Sequence, residues 1–296
     1  MFPTKVLLAT DGSEGAALAA QAAVSLSGLT SAELHVVHVW HTPPPPSFIG
    51  PPPSYYKFSR SGYEQEAEEL LTKQVKRIRG AGGGVAGVHL KEGRPAEGIS
   101  ELAGELGVDL VVVGSRGLGT IKRLVLGSVS EGVVHLAPCP VLVMRGGDGV
   151  WPPSRIVVGE DLSEEAKRAA KLAVSLGRDL GAVVLLVLAY PKLPETMQDE
   201  GLTGLATDEE VRHWAWVELQ RLSDRLEVEL GYRPQARTVM GDPAGLIQEV
   251  AEVSGEPTLV VVGNRGLDTL RRTVLGSVST DVLRAVSGPV LVTKSS

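Results

Sequence analysis

A 22-residue string occurs twice in this chain of 296 residues, and that duplication constrains the fold more than any other feature. Gly114 to His135, laid on Gly263 to Arg284 at an offset of 149, is identical at 13 of the 22 positions. The shared skeleton is Gly114-Ser115-Arg116-Gly117, nine residues, then Gly127-Ser128; it returns as Gly263-Asn264-Arg265-Gly266, nine residues, then Gly276-Ser277. The correspondence runs outward from there. Lys5 to Asp11 answers to Arg155 to Asp161, Gly93-Arg94-Pro95-Ala96 to Gly241-Asp242-Pro243-Ala244, and Pro140-Val141-Leu142-Val143 to Pro289-Val290-Leu291-Val292. A chain of this length accommodates two ordinary domains. One fold is therefore expected twice, over 1–146 and 154–296, with a Gly/Pro-rich linker at 147–153.

Within each half, short apolar runs alternate with Ala/Leu/Glu-rich segments. Strands are expected near 5–10, 33–40, 85–91, 109–114 and 140–145, then 155–160, 182–189, 235–240, 258–263 and 289–293. These near-continuous Val/Leu/Ile runs are the pattern of strands covered on both faces. Helices are expected near 13–27, 62–79, 95–106 and 128–136, then 163–180, 208–230, 244–254 and 277–286. Such alternation predicts an α/β fold with a parallel sheet between helical layers. Ser13 and Ser163 are placed to cap their helices, each followed by Glu where the helix dipole favours negative charge. Asp242-Pro243 is a cap-then-proline start, whereas its counterpart Arg94 cannot cap. Trp214 and Trp216 fall inside a helix and are expected to pack. The proline-rich stretch 43–53 reads as a stiff extended loop after strand two, either overhanging a crevice or simply lying on the surface.

The net charge of −6 argues against bulk electrostatic binding to nucleic acid. A small anion is a different matter, because a few local donors decide it. The single Cys139 forbids an intrachain disulfide and reads as a small buried hydrophobe. No apolar run approaches membrane-spanning length, so a cytoplasmic protein is expected. His35, His38 and His41 are spaced by three, which does not gather them on one face of a strand, so no metal site is expected there.

The glycine string is where chemistry is expected. Gly114 ends a buried strand, and glycine permits close approach of a ligand to the backbone. Gly127-Ser128 then opens a helix, whose first amides lack internal partners and carry partial positive charge. A phosphate there would draw on backbone donors and on the hydroxyls of Ser128 or Ser130; Gly263, Gly266, Gly276, Ser277 and Ser279 repeat the offer. Turn glycines also serve conformation alone, but the recurrence of Gly-Ser at one spacing and at a helix start favours anion binding. Arg116, Lys122 and Arg123, with Arg265, Arg271 and Arg272, flank the glycines and either neutralise a polyphosphate or lie on solvated faces.

This constellation resembles the ATP-binding branch of the universal stress protein family, whose nucleotide motif is G-x2-G-x9-G-[S/T]; both copies satisfy it. Ala9-Thr10-Asp11-Gly12-Ser13 and Leu34 to Val39 are also close to the family pattern, and the resemblance covers nearly the whole chain as a tandem pair. It implies two doubly wound, Rossmann-like domains, each a five-stranded parallel sheet of order 3-2-1-4-5 with helices on both faces. It implies an adenine nucleotide in each half, ATP with Mg²⁺ as an accompanying ion. Asp11 would serve the nucleoside, the Val39 backbone the adenine, and Gly114, Arg116, Gly117, Gly127, Ser128 and Val129 the phosphates. The matching residues of the second copy are Asp161, Leu188, Gly263, Arg265, Gly266, Gly276, Ser277 and Val278. Gly12 is replaced there by Leu162, Gly119 by Asp268 and His38 by Val187, so the second site is expected to bind more weakly or to prefer another nucleotide.

There is no P-loop, no G-x-S-x-G elbow and no His-Glu-x-x-His helix, and no water-activating base presents itself beside the glycines. The expectation is a nucleotide-responsive regulatory module, with two alternatives: a slow ATP phosphohydrolase, or an interaction protein of the same fold without nucleotide. The apolar fifth strands invite pairing of the two halves with each other, and a homodimer of such chains is compatible with that.

Overall fold

The computed structural model describes residues 2–42, 53–115, 126–146, 150–190, 207–264 and 275–294, with side chains of 53–59 excepted. Contacts divide the chain into two compact units, Pro3–Arg145 and Gly146–Ser296. The first contains β1 (Lys5–Ala9), α1 (Glu14–Thr30), β2 (Glu33–Trp40), α2 (Pro53–Gly80), β3 (Val85–Glu92), α3 (Pro95–Leu106), β4 (Leu110–Gly114), α4 (Ser128–Leu136) and β5 (Val141–Met144). The second contains β6 (Arg155–Glu160), α5 (Glu164–Leu180), β7 (Val183–Tyr190), α6 (Asp208–Leu230), β8 (Gln235–Met240), α7 (Pro243–Glu252), β9 (Thr258–Val262), α8 (Ser277–Ala285) and β10 (Val290–Val292).

The pairings are parallel, in the order β3-β2-β1-β4-β5 in the first unit and β8-β7-β6-β9-β10 in the second. The strands next to the order reversal are the most enclosed: Val6, Leu7, Leu8, Val111 and Val112 are fully buried, as are Ile156, Val157, Val158, Val260 and Val261. Each such side chain withdrawn from water contributes roughly 1.5–3 kcal/mol to the core. The edge strands differ. β3 and β8 alternate between half-buried and exposed positions, so only one of their faces is covered.

Small residues set the distance between helix and sheet. The inward face of α1 carries Ala16, Ala19, Ala22 and Ala23, and that of α5 carries Ala166, Ala169, Ala170 and Ala173. The closest approach is at Gly114, where an added Cβ would sit 2.4 Å from the carbonyl carbon of Gly15 and 2.8 Å from the amide of Ala16. Glycine at the end of β4 therefore lets the first turn of α1 lie in backbone contact with the strand.

Two expectations are corrected. α2 begins at Pro53, not near residue 62. Proline at a first helical position sacrifices only an amide that has no intrahelical partner anyway. The remainder of the proline-rich stretch, 43–52, lies outside the described residues. Trp214 and Trp216 do not pack inside: they are 57% and 49% exposed, flanking the fully buried Ala215 that faces the sheet.

Candidate functional site

The strand order reverses between β1 and β4, and again between β6 and β9, so a crevice opens outside the carboxyl ends of those strands. Asp11 and Ser115 follow the two strand ends in the first unit; Asp161 and Gly263 do so in the second. The turn from β1 into α1 is built from its own side chains. Asp11 Oδ1 accepts from the amide of Ser13 at 3.0 Å, and Ser13 Oγ accepts from Ala16 at 3.2 Å, capping the helix. The second unit repeats this with Asp161 and Ser163 at 2.9 Å and Ser163 and Ala166 at 3.2 Å. Both turns pass through the left-handed region, at Gly12 with φ +79° and at Leu162 with φ +65°. The turn is thus conserved in shape although the glycine is lost.

The opposite wall is the start of α4 and α8. Gly127 and Gly276 are the N-caps, with ordinary φ of −73° and −64° and no side-chain cap. Their own amides donate to Ser115 and Asn264 carbonyls, both at 2.8 Å, which fixes each helix start beside its strand end. The first intrahelical bonds run from Glu131 to Gly127 and from Thr280 to Gly276. The amides of Ser128 and Val129, and of Ser277 and Val278, precede those bonds and have no helical partner to donate to. Val129 and Val278 are exposed, so this end of the helix meets solvent. Helices α1, α5, α6 and α7 instead carry a side-chain cap, from Ser13, Ser163, Thr207 and Asp242.

Several expected site residues take other roles. Gly114 makes room for α1, which accounts for its lack of a side chain without any ligand. Ser130 is 2% exposed and its hydroxyl donates to the Ser115 and Gly127 carbonyls at 3.1 and 2.9 Å. Ser279 Oγ likewise donates to the Gly263 carbonyl at 2.6 Å, so both hydroxyls are turned back onto the strand end. The correspondence of Val39 with Leu188 is corrected by register. Ala9 pairs with Val37 and Gly159 with Val187, which makes Ala189 the counterpart of Val39 and Leu188 that of His38, where Val187 had been expected. Val39 faces α3, where a Cβ on Gly98 would meet it at 3.2 Å. Arg116, Gly117, Arg265 and Gly266, with the neighbouring Lys122, Arg123, Arg271 and Arg272 and the Gly119/Asp268 pair, lie outside the described residues.

Two features of these turns were missed. His38 Nδ1 lies 2.7 Å from the Thr10 carbonyl; since a carbonyl only accepts, Nδ1 carries the proton and donates. In the second unit Glu160 replaces Thr10 and is 5% exposed. Its Oε1 accepts from Leu162 at 2.8 Å, while Oε2 is buried without a hydrogen-bond partner. Burial pushes this carboxyl up to about 8; the neighbouring Asp161 charge adds to the rise, against the Leu162 amide and Lys167. A carboxylate ending an apolar strand was its signal in the sequence.

Among the described residues no group of three His, Cys, Asp or Glu side chains is placed to hold a metal, and no helix is long and apolar enough to cross a membrane. The universal stress protein family model matches this chain twice, at residues 3–145 and 153–294. A universal stress protein of Mycobacterium tuberculosis is 30% identical over 305 aligned positions, covering 98% of this chain and 97% of the relative. Among solved structures, a universal stress protein of Archaeoglobus fulgidus shares the fold over 99% of both chains at 23% identity, with a TM-score of 0.72. A universal stress protein solved in complex with cAMP covers 49% of this chain and 98% of its own at 26% identity, with a TM-score of 0.37. Two family domains in sequence, matched along their whole length by a tandem relative, make this chain a tandem member of the universal stress protein family.

Proposed function

We propose that each unit binds one adenine nucleotide, ATP in the first instance, and that the chain acts as a nucleotide-responsive regulatory module in the cytoplasm. One observation carries this reading. At equivalent places in the two units, a helix starts on glycine with no side-chain cap, beside the crevice at the strand-order reversal. Unpartnered amides and the helix dipole there suit a phosphate group. Ser128 and Val129, with Ser277 and Val278, would donate backbone amides, and the Ser128 and Ser277 hydroxyls would add to them. Gly127 and Gly276 keep the cap position free of a side chain. Asp11 and Asp161 would serve the nucleoside, and the backbone of Val39 and of Ala189 the base. Arg116, Gly117, Arg265 and Gly266 belong to the same glycine strings and complete the phosphate side of the proposal. Mg²⁺ would arrive with the phosphates. The apolar Val141-Leu142-Val143 and Val290-Leu291-Val292 are proposed to pair the two halves.

The reading is tested by denaturing the purified protein and identifying what it releases. ATP or a close adenylate is expected. A chain that carries no nucleotide, and takes up none when incubated with ATP and Mg²⁺, would contradict it.

A further inference from the structure

In the first unit two imidazoles meet across adjacent strands, outside the crevice. His35 is on β2 and His89 on β3, and His35 Nδ1 stands 3.0 Å from His89 Nε2. The ring centroids are 5.3 Å apart and the planes differ by 22°. That centroid separation is the nitrogen-to-nitrogen gap plus both ring radii. The rings therefore lie end to end and nearly coplanar, each nitrogen aimed at the other, and not one above the other.

The surrounding backbone makes this possible. The β2–β3 register shifts between Leu34 and His35, which sets His35 opposite Gly87. A Cβ on Gly87 would lie 2.3 Å from His35 Nδ1 and 2.8 Å from His89 Nε2. Only glycine leaves space there for the two rings to touch. His35 is largely enclosed, and its other nitrogen, Nε2, is buried without a hydrogen-bond partner. The charged groups around the pair come from four elements. Glu33 on β2 lies 3.7 Å from His35 Nε2, and Lys5 on β1 lies 3.6 Å from Glu33. Lys91 on β3 is paired with Glu105 on α3 at 3.0 Å.

The gap between the facing nitrogens holds one proton. When the pair is neutral or singly charged, one nitrogen donates and the other accepts. When both rings are charged, both nitrogens carry hydrogen, so the bond is lost and two like charges face each other. We propose that His35 and His89 form a one-proton latch, which ties the edge strand β3 to β2 while at most one ring is charged and lets go when both are. The environment sets the direction. Burial, then the His35 and Lys91 charges, hold His89 below the usual histidine value, with Glu105 opposing. A histidine lowered in the folded state contributes stability that is present near neutral pH and is lost as pH falls through that lowered value. β3 and β2 remain joined past their ends, where Gly93 donates to the Trp40 carbonyl at 2.9 Å, next to Val39. Acid loosening of β3 would therefore reach the side of the first crevice.

The second unit is a built-in control. Register places Leu185 at the position of His35 and Arg237 at that of His89, so no such pair exists there. The test is hydrogen exchange of the full chain in EDTA, corrected for intrinsic rates, from about pH 7.5 to about pH 5. Protection over β3 should fall about tenfold or more while that over β8 does not fall, and His89→Gln should flatten the response. Gln keeps an N–H for His35 but cannot take a charge. Ring-nitrogen NMR should show the pair titrating in two well-separated steps. Parallel loss in β3 and β8, a His89→Gln profile like the parent, or two coincident ring titrations would each overturn the proposal.

Discussion

The β1–α1 turn of the first unit and the β6–α5 turn of the second have one shape made from different residues. Gly12 donates to Thr10 Oγ1 at 3.3 Å, and Leu162 donates to Glu160 Oε1 at 2.8 Å. Both donors sit at positive φ, which costs glycine little and leucine roughly 1–2 kcal/mol. Glu160 keeps the bond that threonine made but brings a second, buried oxygen without a partner. His38 braces the first turn through the Thr10 carbonyl, and Leu188 in its place has no group to donate. The helix starts at Gly127 and Gly276, by contrast, are nearly the same in dihedral and in hydrogen bonding. The side chains that brace the turn at Thr10 and His38 differ between copies, while the Asp–Ser cap and the backbone-built helix starts do not. Amides survive side-chain change, so a site made from them is retained most easily.

The sharpest break in the comparison is at Gly114. Gly114→Ala should cost the first unit about 3 kcal/mol, because the new methyl meets helix backbone that cannot swing aside. Gly28→Ala, whose Cβ would meet nothing within 4 Å, should not destabilise it; denaturant unfolding of both variants checks this.

Gly127→Asp and Gly276→Asp should each separate stability from binding. An aspartate in place of the glycine cap stabilises its helix by a few tenths of a kcal/mol while placing a carboxylate where the phosphate would sit, so ATP affinity at that unit should fall on the order of 100-fold. Melting temperature and ATP titration of the same variant give the two readings.

Glu160→Gln should stabilise the second unit by an amount that grows with pH. The folded carboxyl titrates near 8 against a reference of 4.5. Below 4.5 both states are protonated and proton binding makes no difference between them. Between 4.5 and 8 the unfolded state releases the proton and the folded state does not, so the native carboxyl becomes an increasing liability. The gain from Gln should be small near pH 4.5 and on the order of 2–4 kcal/mol by pH 8, read from unfolding curves across that range. A gain that does not change with pH would contradict this.

The smallest effect is at the turn itself. Leu162→Gly should stabilise the second unit by about 1 kcal/mol, and Gly12→Leu should destabilise the first by at least as much, since its Cβ already meets Leu70 at 3.4 Å. Thermal unfolding of the pair of variants checks the sign of each.

Much of the fold was legible in the sequence because its elements are strongly marked. β2 and β6, α3 and α4 fall where apolar runs, caps and proline place them, and Ser13, Ser163 and Asp242 cap as their chemistry requires. What was lost is what the repeat does not mark. The run Val183 to Tyr190 is apolar throughout, so a one-residue slip leaves no trace in its pattern, and Leu188 was matched to Val39 in place of Ala189. Gly114 and Ser130 are visible as motif positions, but only packing shows the first against α1 and the second bonded back to Ser115. His35 and His89 stand 54 residues apart, and no local signal joins them before a register shift does.

Calorimetric titration of the full chain with ATP and Mg²⁺ tests the central claim most directly, because it counts sites. Two ATP per chain are predicted, one after either Gly127→Asp or Gly276→Asp, and none after both. Binding that is absent in the parent chain, or unchanged in the double variant with both helices still folded, would contradict it.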